Sequence, residues 1–158
     1  MVTSVPDYSV SLIGMRRRAS CPVSSAGEEL DLPKIHVVII EDDESVREAT
    51  NHLLRLLGYA TASFASAEDF LNSGRVHDTA CLITDVHLPG MSGVELQTRL
   101  ILDGHRMPIV FFTAFPEEAI RERVLRDGAV CYLSKPLQER SLIACLDQAL
   151  DRPRQDLA

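Results

Sequence analysis

The stretch Lys34-Ile35-His36-Val37-Val38-Ile39-Ile40-Glu41-Asp42-Asp43-Glu44-Ser45 changes character at a single bond. Residues 35–40 are a short, apolar, β-branched run, which suits a strand buried on both faces. Four acidic residues follow without a break. Val46, Ala49, Leu53, Leu56 and Leu57 then recur at helical spacing up to Gly58, which predicts a helix and its C-terminal stop. A buried strand that ends abruptly in polar chemistry and leads into a helix is the unit from which the rest of the chain is read.

The unit repeats. Residues 59–64 read as a second strand and 65–71 as a short helix before Ser73-Gly74. Residues 80–84 form a third apolar run ending at Asp85, followed by the turn formers Pro89-Gly90 and Ser92-Gly93. Residues 94–102 are helical and stop at Gly104. Residues 109–112 make a fourth strand closing on Thr113. Pro116 stands where a helix can begin, and Glu117 and Glu118 suit its positive end, with the helix running to Asp127-Gly128. Residues 130–133 form a fifth strand before Ser134-Lys135-Pro136. A last helix over 138–150 carries Leu142, Leu146, Ala149 and Leu150. Five strands alternating with five helices imply an α/β fold, a doubly wound parallel sheet covered on both faces.

Composition narrows the function classes. The 158 residues are 46% hydrophobic and 25% charged, enough for one substantial core. Sixteen basic against 23 acidic residues give a net charge of -7, which argues against a dedicated nucleic-acid-binding module and against an anionic membrane surface. No run approaches the roughly 20 apolar residues that span a bilayer. Arg16-Arg17-Arg18 is not followed by the apolar stretch of a signal peptide. Cys21, Cys81, Cys131 and Cys145 form no metal-binding or CxxC pattern. Three of them fall in apolar runs and read as small core residues, so a reducing, cytoplasmic setting is expected. Residues 1–33, rich in Ser, Pro and Gly, read as a disordered extension in which Met15 is an alternative start and the arginines a solvated charge run. Residues 34–150 form the domain, and 151–158 are a tail too short for another.

In open α/β sheets ligands bind beyond the carboxyl ends of the strands. Strand one ends in Glu41-Asp42, strand three in Asp85, strand four in Thr113 and strand five just before Lys135. Three carboxylates converging there repel one another unless a cation joins them. Hard oxygen ligands of this kind suit Mg2+, which takes one or two carboxylates and leaves room for phosphate oxygens. A lysine and a hydroxyl beside them suit phosphoryl transfer, which needs mainly positioning and charge neutralisation, with Asp85 as the carboxylate nucleophile. Each residue also has a plainer use. Asp42, Asp43 and Glu44 suit a helix N-terminus, Lys135-Pro136 a surface turn, Thr113 a strand, and Asp85 a loop. Their arrival at one sheet edge together favours the chemical reading.

The segments IIEDDESVRE, LITDVHLPGMSGVEL, VFFTAF and AVCYLSKPL resemble the response-regulator receiver family of two-component signalling, and more narrowly receivers of the FixJ type. The resemblance covers residues 34–150. It implies a flavodoxin-like, CheY-like five-stranded sheet in order 2-1-3-4-5. It also implies that Asp85 is the phosphoacceptor, that Glu41, Asp42, Asp85 and the backbone carbonyl of His87 hold Mg2+, and that Thr113 and Lys135 serve the phosphoryl group. Tyr132 matches the aromatic switch residue, which rotates inward as Thr113 moves, and Pro136 a proline usually cis. Glu41 departs from the more usual aspartate, which implies altered metal affinity. His87 and Phe115 match positions that influence dephosphorylation. The bulky ring of Phe115 is expected to shield the acyl phosphate, and the His87 side chain to line the cleft rim. His36, His52, His77 and His105 are scattered.

The implied function is a receiver that takes a phosphoryl group from a sensor histidine kinase and switches a protein-interaction surface, with self-association left open. It is not an enzyme on external substrates. Haloacid-dehalogenase-type phosphatases need a second acid where this chain has His87. Alternatives are an interaction module that works without phosphorylation and a truncated DNA-binding regulator, since FixJ-type proteins often carry a helix-turn-helix domain and only eight residues follow Leu150.

Overall fold

The computed structural model describes residues 36–151. The expectations for residues 1–33 and for the tail beyond Asp151 lie outside the described residues. In chain order the elements are β1 (His36–Ile40), α1 (Glu44–Leu56), β2 (Ala60–Phe64), α2 (Ala67–Leu71), a 3-10 turn (Val76–Asp78), β3 (Thr79–Asp85), α3 (Gly93–Leu102), β4 (Ile109–Thr113), α4 (Glu118–Arg126), β5 (Cys131–Ser134) and α5 (Glu139–Asp151). The strands form one parallel sheet in the order β2-β1-β3-β4-β5. This is the expected doubly wound order.

Strand alternation builds two cores from one apolar run. Val37 and Ile39 face one way and pack with Ile83, Val110, Phe112, Leu54 and Leu146, the layer under α1 and α5. Val38 and Ile40 face the other way, with Leu82, Phe111, Phe70, Leu96 and Val124, the layer under α2, α3 and α4. Burial on both faces explains why β1, β3 and β4 read as nearly continuous hydrophobic stretches rather than as alternating ones.

Short polar residues decide where the helices begin. The Asp43 side chain caps α1 by accepting from the Ser45 and Val46 amides. Ser66 caps α2, so that helix starts at Ala67, later than the periodicity places it. Ser92 and Glu95 form a reciprocal capping box on α3. The 3-10 turn has only three residues and gives no periodic signal.

Two of the expected core thiols are joined. Cys131 on β5 and Cys145 on α5 form a disulfide, with Cα atoms 6.2 Å apart. Strand alternation turns Cys131 toward α5, and Cys145 lies on the buried face of that helix. Their 14-residue separation and apolar neighbours hide this pairing in the sequence. The pairing corrects the reading of both as separate small core residues, and the argument from cysteine spacing to a reducing compartment falls with it. Cys81 is free and buried, and burial pushes its thiol up to about 12.

Gly93 brings α3 against the end of β3. Its amide donates to the Val86 carbonyl at 2.9 Å, and a Cβ at this position would collide with the backbone carbonyl oxygen of Asp85. Gly93→Ala is expected to lower stability by about 1–3 kcal/mol, the usual cost of overpacking, measured by urea denaturation. A neutral result would mean that α3 can move away from the strand without loss.

Candidate functional site

Four strand ends supply the site. Glu41 follows β1 and is buried, and Asp42 beside it is exposed. Asp85 ends β3, and Thr113, fully buried, ends β4. Lys135 follows β5 and precedes a cis peptide bond to Pro136. The register sets Ile40 beside Thr84, Asp85 beside Phe112 and Thr113 beside Ser134, so these ends lie at one edge of the sheet.

Lys135 joins the two buried acids. Its Nζ donates to Glu41 Oε1 at 2.6 Å and to Asp85 Oδ2 at 2.8 Å, and it stands 5.0 Å from the centroid of the Phe112 ring. Burial works against the lysine's charge, but its ion pairs with Asp85 and Glu41 outweigh burial and hold the ammonium above its usual range. Burial pushes the Glu41 carboxyl up, against the lowering effect of Lys135 and of the Asp43 amide.

The remaining oxygens are also engaged. Glu41 Oε2 accepts from the Asp43 amide at 3.0 Å, and Asp85 Oδ1 accepts from the His87 amide at 3.1 Å. Arg47 Nη1 donates to the Glu41 carbonyl at 2.7 Å. Nothing in its position in the α1 sequence foretells this reach back to the strand end. Asp43, one of three acids that suit the helix N-terminus in the sequence, is the helix cap.

Glu41, Asp42 and Asp85 each place a carboxylate oxygen within 4.8 Å of the others. Oxygens bound octahedrally at about 2.1 Å lie about 3–4 Å apart, so small side-chain adjustments close the set on a Mg2+-sized cation. Three carboxylates against one ammonium leave two formal negative charges, which a divalent cation balances. Donor type, spacing and charge all fit Mg2+.

Thr113 and Tyr132 meet the loop after β4 rather than Asp85. Thr113 Oγ1 accepts from the Phe115 amide at 3.2 Å, and the Tyr132 hydroxyl accepts from the Glu117 amide at 3.2 Å. His87 is exposed, and its ring meets the Phe115 ring edge-on with centroids 6.1 Å apart. Both rings are solvent-facing, Phe115 with 71% of its surface exposed. His77 and His105 meet edge to face at 5.0 Å. They come just before β3 and β4, at the sheet's opposite edge.

Residues 37–147 match the family described as the response regulator receiver domain. The chain is 36% identical over 121 residues to nodulation protein W of Bradyrhizobium diazoefficiens, covering 77% of this chain and 53% of that protein. It is 34% identical over 116 residues to the transcriptional regulatory protein FixJ of Azorhizobium caulinodans, covering 73% and 55% respectively. The chain thus spans about half the length of these curated relatives. Among solved structures, the response regulator StyR is 38% identical, with a TM-score of 0.69 over 74% of this chain and 59% of that one. The structure titled FixJ-N is 28% identical, with a TM-score of 0.68 over 77% of this chain and 98% of that one.

Glu41 carries a stability consequence of its own. Its folded-state pKa lies above 4.5, so stability is fullest below that pH and falls as pH rises through the folded value. Without divalent metal, Glu41→Gln is expected to be more stable to urea than the parent at pH 7, with the gain vanishing near pH 4. A loss at pH 7 would mean that the bond to Lys135 outweighs burial.

Proposed function

Since the chain belongs to the response-regulator receiver domain family, we propose that Asp85 accepts a phosphoryl group from the phosphohistidine of a sensor kinase. The observation that carries this reading is Lys135, held at 2.8 Å from Asp85 and 2.6 Å from Glu41. In the transfer, a carboxylate oxygen of Asp85 bonds to phosphorus as the phosphorus–nitrogen bond breaks, and the electron pair leaves with the imidazole. Glu41, Asp42, Asp85 and the His87 carbonyl would hold Mg2+, which supplies charge neutralisation for the incoming phosphoryl oxygens. Lys135 then exchanges its bond to Asp85 for one to a phosphoryl oxygen.

The second half of the reading is the switch. A phosphoryl group adds roughly -1.5 to -2 of charge and new acceptor oxygens. The Thr113 hydroxyl accepts from Phe115 here and has its own proton to donate, so it turns toward the phosphoryl group and draws the loop after β4 with it. Tyr132 gives up its bond to the Glu117 amide as it swings inward. The start of α4 is then released, and the α4–β5–α5 face changes for a protein partner. Ligand interaction that differs between two pre-existing arrangements is enough to shift their balance.

The proposed setting is cytoplasmic, and among the described residues no helix is long and apolar enough to cross a membrane. The reading does not extend to hydrolysis of external phosphate esters, because His87 stands where a second acid would be needed.

Incubation with acetyl phosphate and Mg2+ is expected to add one phosphoryl group to the parent chain and none to Asp85→Asn, read by intact mass. Equal labelling of both would move the acceptor elsewhere. Thr113→Ala should still be labelled, yet show little of the change in Tyr132 ring signals that labelling produces in the parent. An undiminished change would remove Thr113 from the switch.

A further inference from the structure

The loop over residues 86–92 carries His87 and joins β3 to α3. Beyond the capping box of Ser92 with Glu95 at its end, three bonds hold it. The His87 amide donates to Asp85 Oδ1 at 3.1 Å, and the Gly93 amide returns to the Val86 carbonyl at 2.9 Å. Both are local. The third comes from another element: Glu68 Oε2 on α2 accepts from the Met91 amide at 2.8 Å, across 23 residues of chain.

Both ends of that bond are anchored. Glu68 lies between Ala67 and Phe70, each 0% exposed, and the Phe70 ring packs on Phe64 of β2 at 5.7 Å. On the loop side, Leu88 is buried in the same core layer and Met91 packs against it. Gly90 adds a close fit, since a Cβ there would stand 2.6 Å from Glu68 Oε2. Gly90 has φ +76, a left-handed conformation that glycine adopts without strain. The loop is therefore shaped to receive the carboxylate, and Gly90 leaves room for it.

The loop after β4 is tethered differently. Its two bonds go to Thr113 and Tyr132, the residues expected to move when the site is loaded. The loop after β3 is tied to α2, which contributes no residue to the switch. We infer that Glu68 is a positioning residue that clasps the β3–α3 loop through the Met91 amide. It thereby holds the His87 carbonyl and the Asp85 side chain in the metal-binding arrangement while the other half of the site rearranges. This inference rests on the receiver reading of Asp85 and His87.

The test uses the full chain with acetyl phosphate, following the labelling rate against Mg2+ concentration. Glu68→Ala should raise the Mg2+ concentration for half-maximal rate by about three- to tenfold, with the maximal rate and melting temperature little changed. Glu68→Gln keeps a carbonyl acceptor and should restore the parent value. Gly90→Ala strains the backbone in any background, so its effect is compared with and without Glu68. Its cost to Mg2+ dependence should be smaller in the Glu68→Ala chain, because the Cβ no longer displaces a carboxylate.

Unchanged Mg2+ dependence in Glu68→Ala would overturn the inference. So would a loss of melting temperature matching the loss of rate, or a Gly90→Ala cost that is the same in both backgrounds. If the parent chain is not labelled at all, the receiver reading fails. The clasp is then judged by hydrogen exchange of the Met91 amide, which Glu68→Ala should speed at least tenfold and which an unclasped loop would leave unchanged.

Discussion

The bridge of Lys135 between Glu41 and Asp85 is the interaction on which the rest of the site depends. It spans 94 residues to one acid and 50 to the other, so it forms only when β1, β3 and β5 are in register. Two buried carboxylates facing each other without that ammonium would be expelled or protonated. With it, they stay close, and counting the exposed Asp42 the site carries two formal negative charges beyond the ammonium. On the proposed reading a divalent cation would balance those two charges, and the further negative charge of a phosphoryl group would be met by Lys135. A lysine serves this purpose well because its single point charge on a flexible stem can change partners as a phosphate arrives.

The architecture divides the labour at that edge. The ends of β1 and β3 carry the acidic residues proposed to hold the metal, fixed by caps and by the bond from α2. The ends of β4 and β5 carry the proposed switch residues, Thr113 and Tyr132, which hold the loop before α4 through single hydrogen bonds. The N-terminal residue of α4 lacks a side-chain cap, whereas α1, α2 and α3 each have one. A helix whose start is tied to a tyrosine hydroxyl is coupled to that ring's position. On the proposed reading, such fixed and responsive halves would let chemistry at Asp85 reach a distant surface without disturbing the metal ligands.

Much of this was legible in the sequence because burial on both faces leaves a strong mark. The runs 35–40, 80–84 and 109–112 stand out by their apolar, β-branched character, and the residue that follows each run is a candidate for the site. Strand order came from family resemblance, since alternation of elements permits several orders. What stayed hidden depends on contacts between distant segments. The Cys131–Cys145 bond joins a strand to a helix across an apolar stretch that looks like ordinary core. Glu68 looks like any acidic residue in a first helical turn, and its value comes from a backbone amide 23 residues away. Arg47 looks like a solvent-facing helix residue until its reach to the Glu41 carbonyl is seen. Asp43 is the helix cap, as the plainer reading of Asp42, Asp43 and Glu44 allowed, but in a run of four acids spacing alone does not say which one takes that place.

On the proposed reading, this strand edge holds a phosphoryl group on Asp85 with a divalent cation beside it. Fluorine NMR of the chain with beryllium fluoride and Mg2+ tests it most directly, because beryllium fluoride binds a carboxylate oxygen in the shape of a phosphoryl group without any transfer step. Bound fluorine signals that require Mg2+ and disappear in Asp85→Asn are expected. A folded parent chain with no bound signal at saturating Mg2+, or a signal that survives in Asp85→Asn, would contradict it.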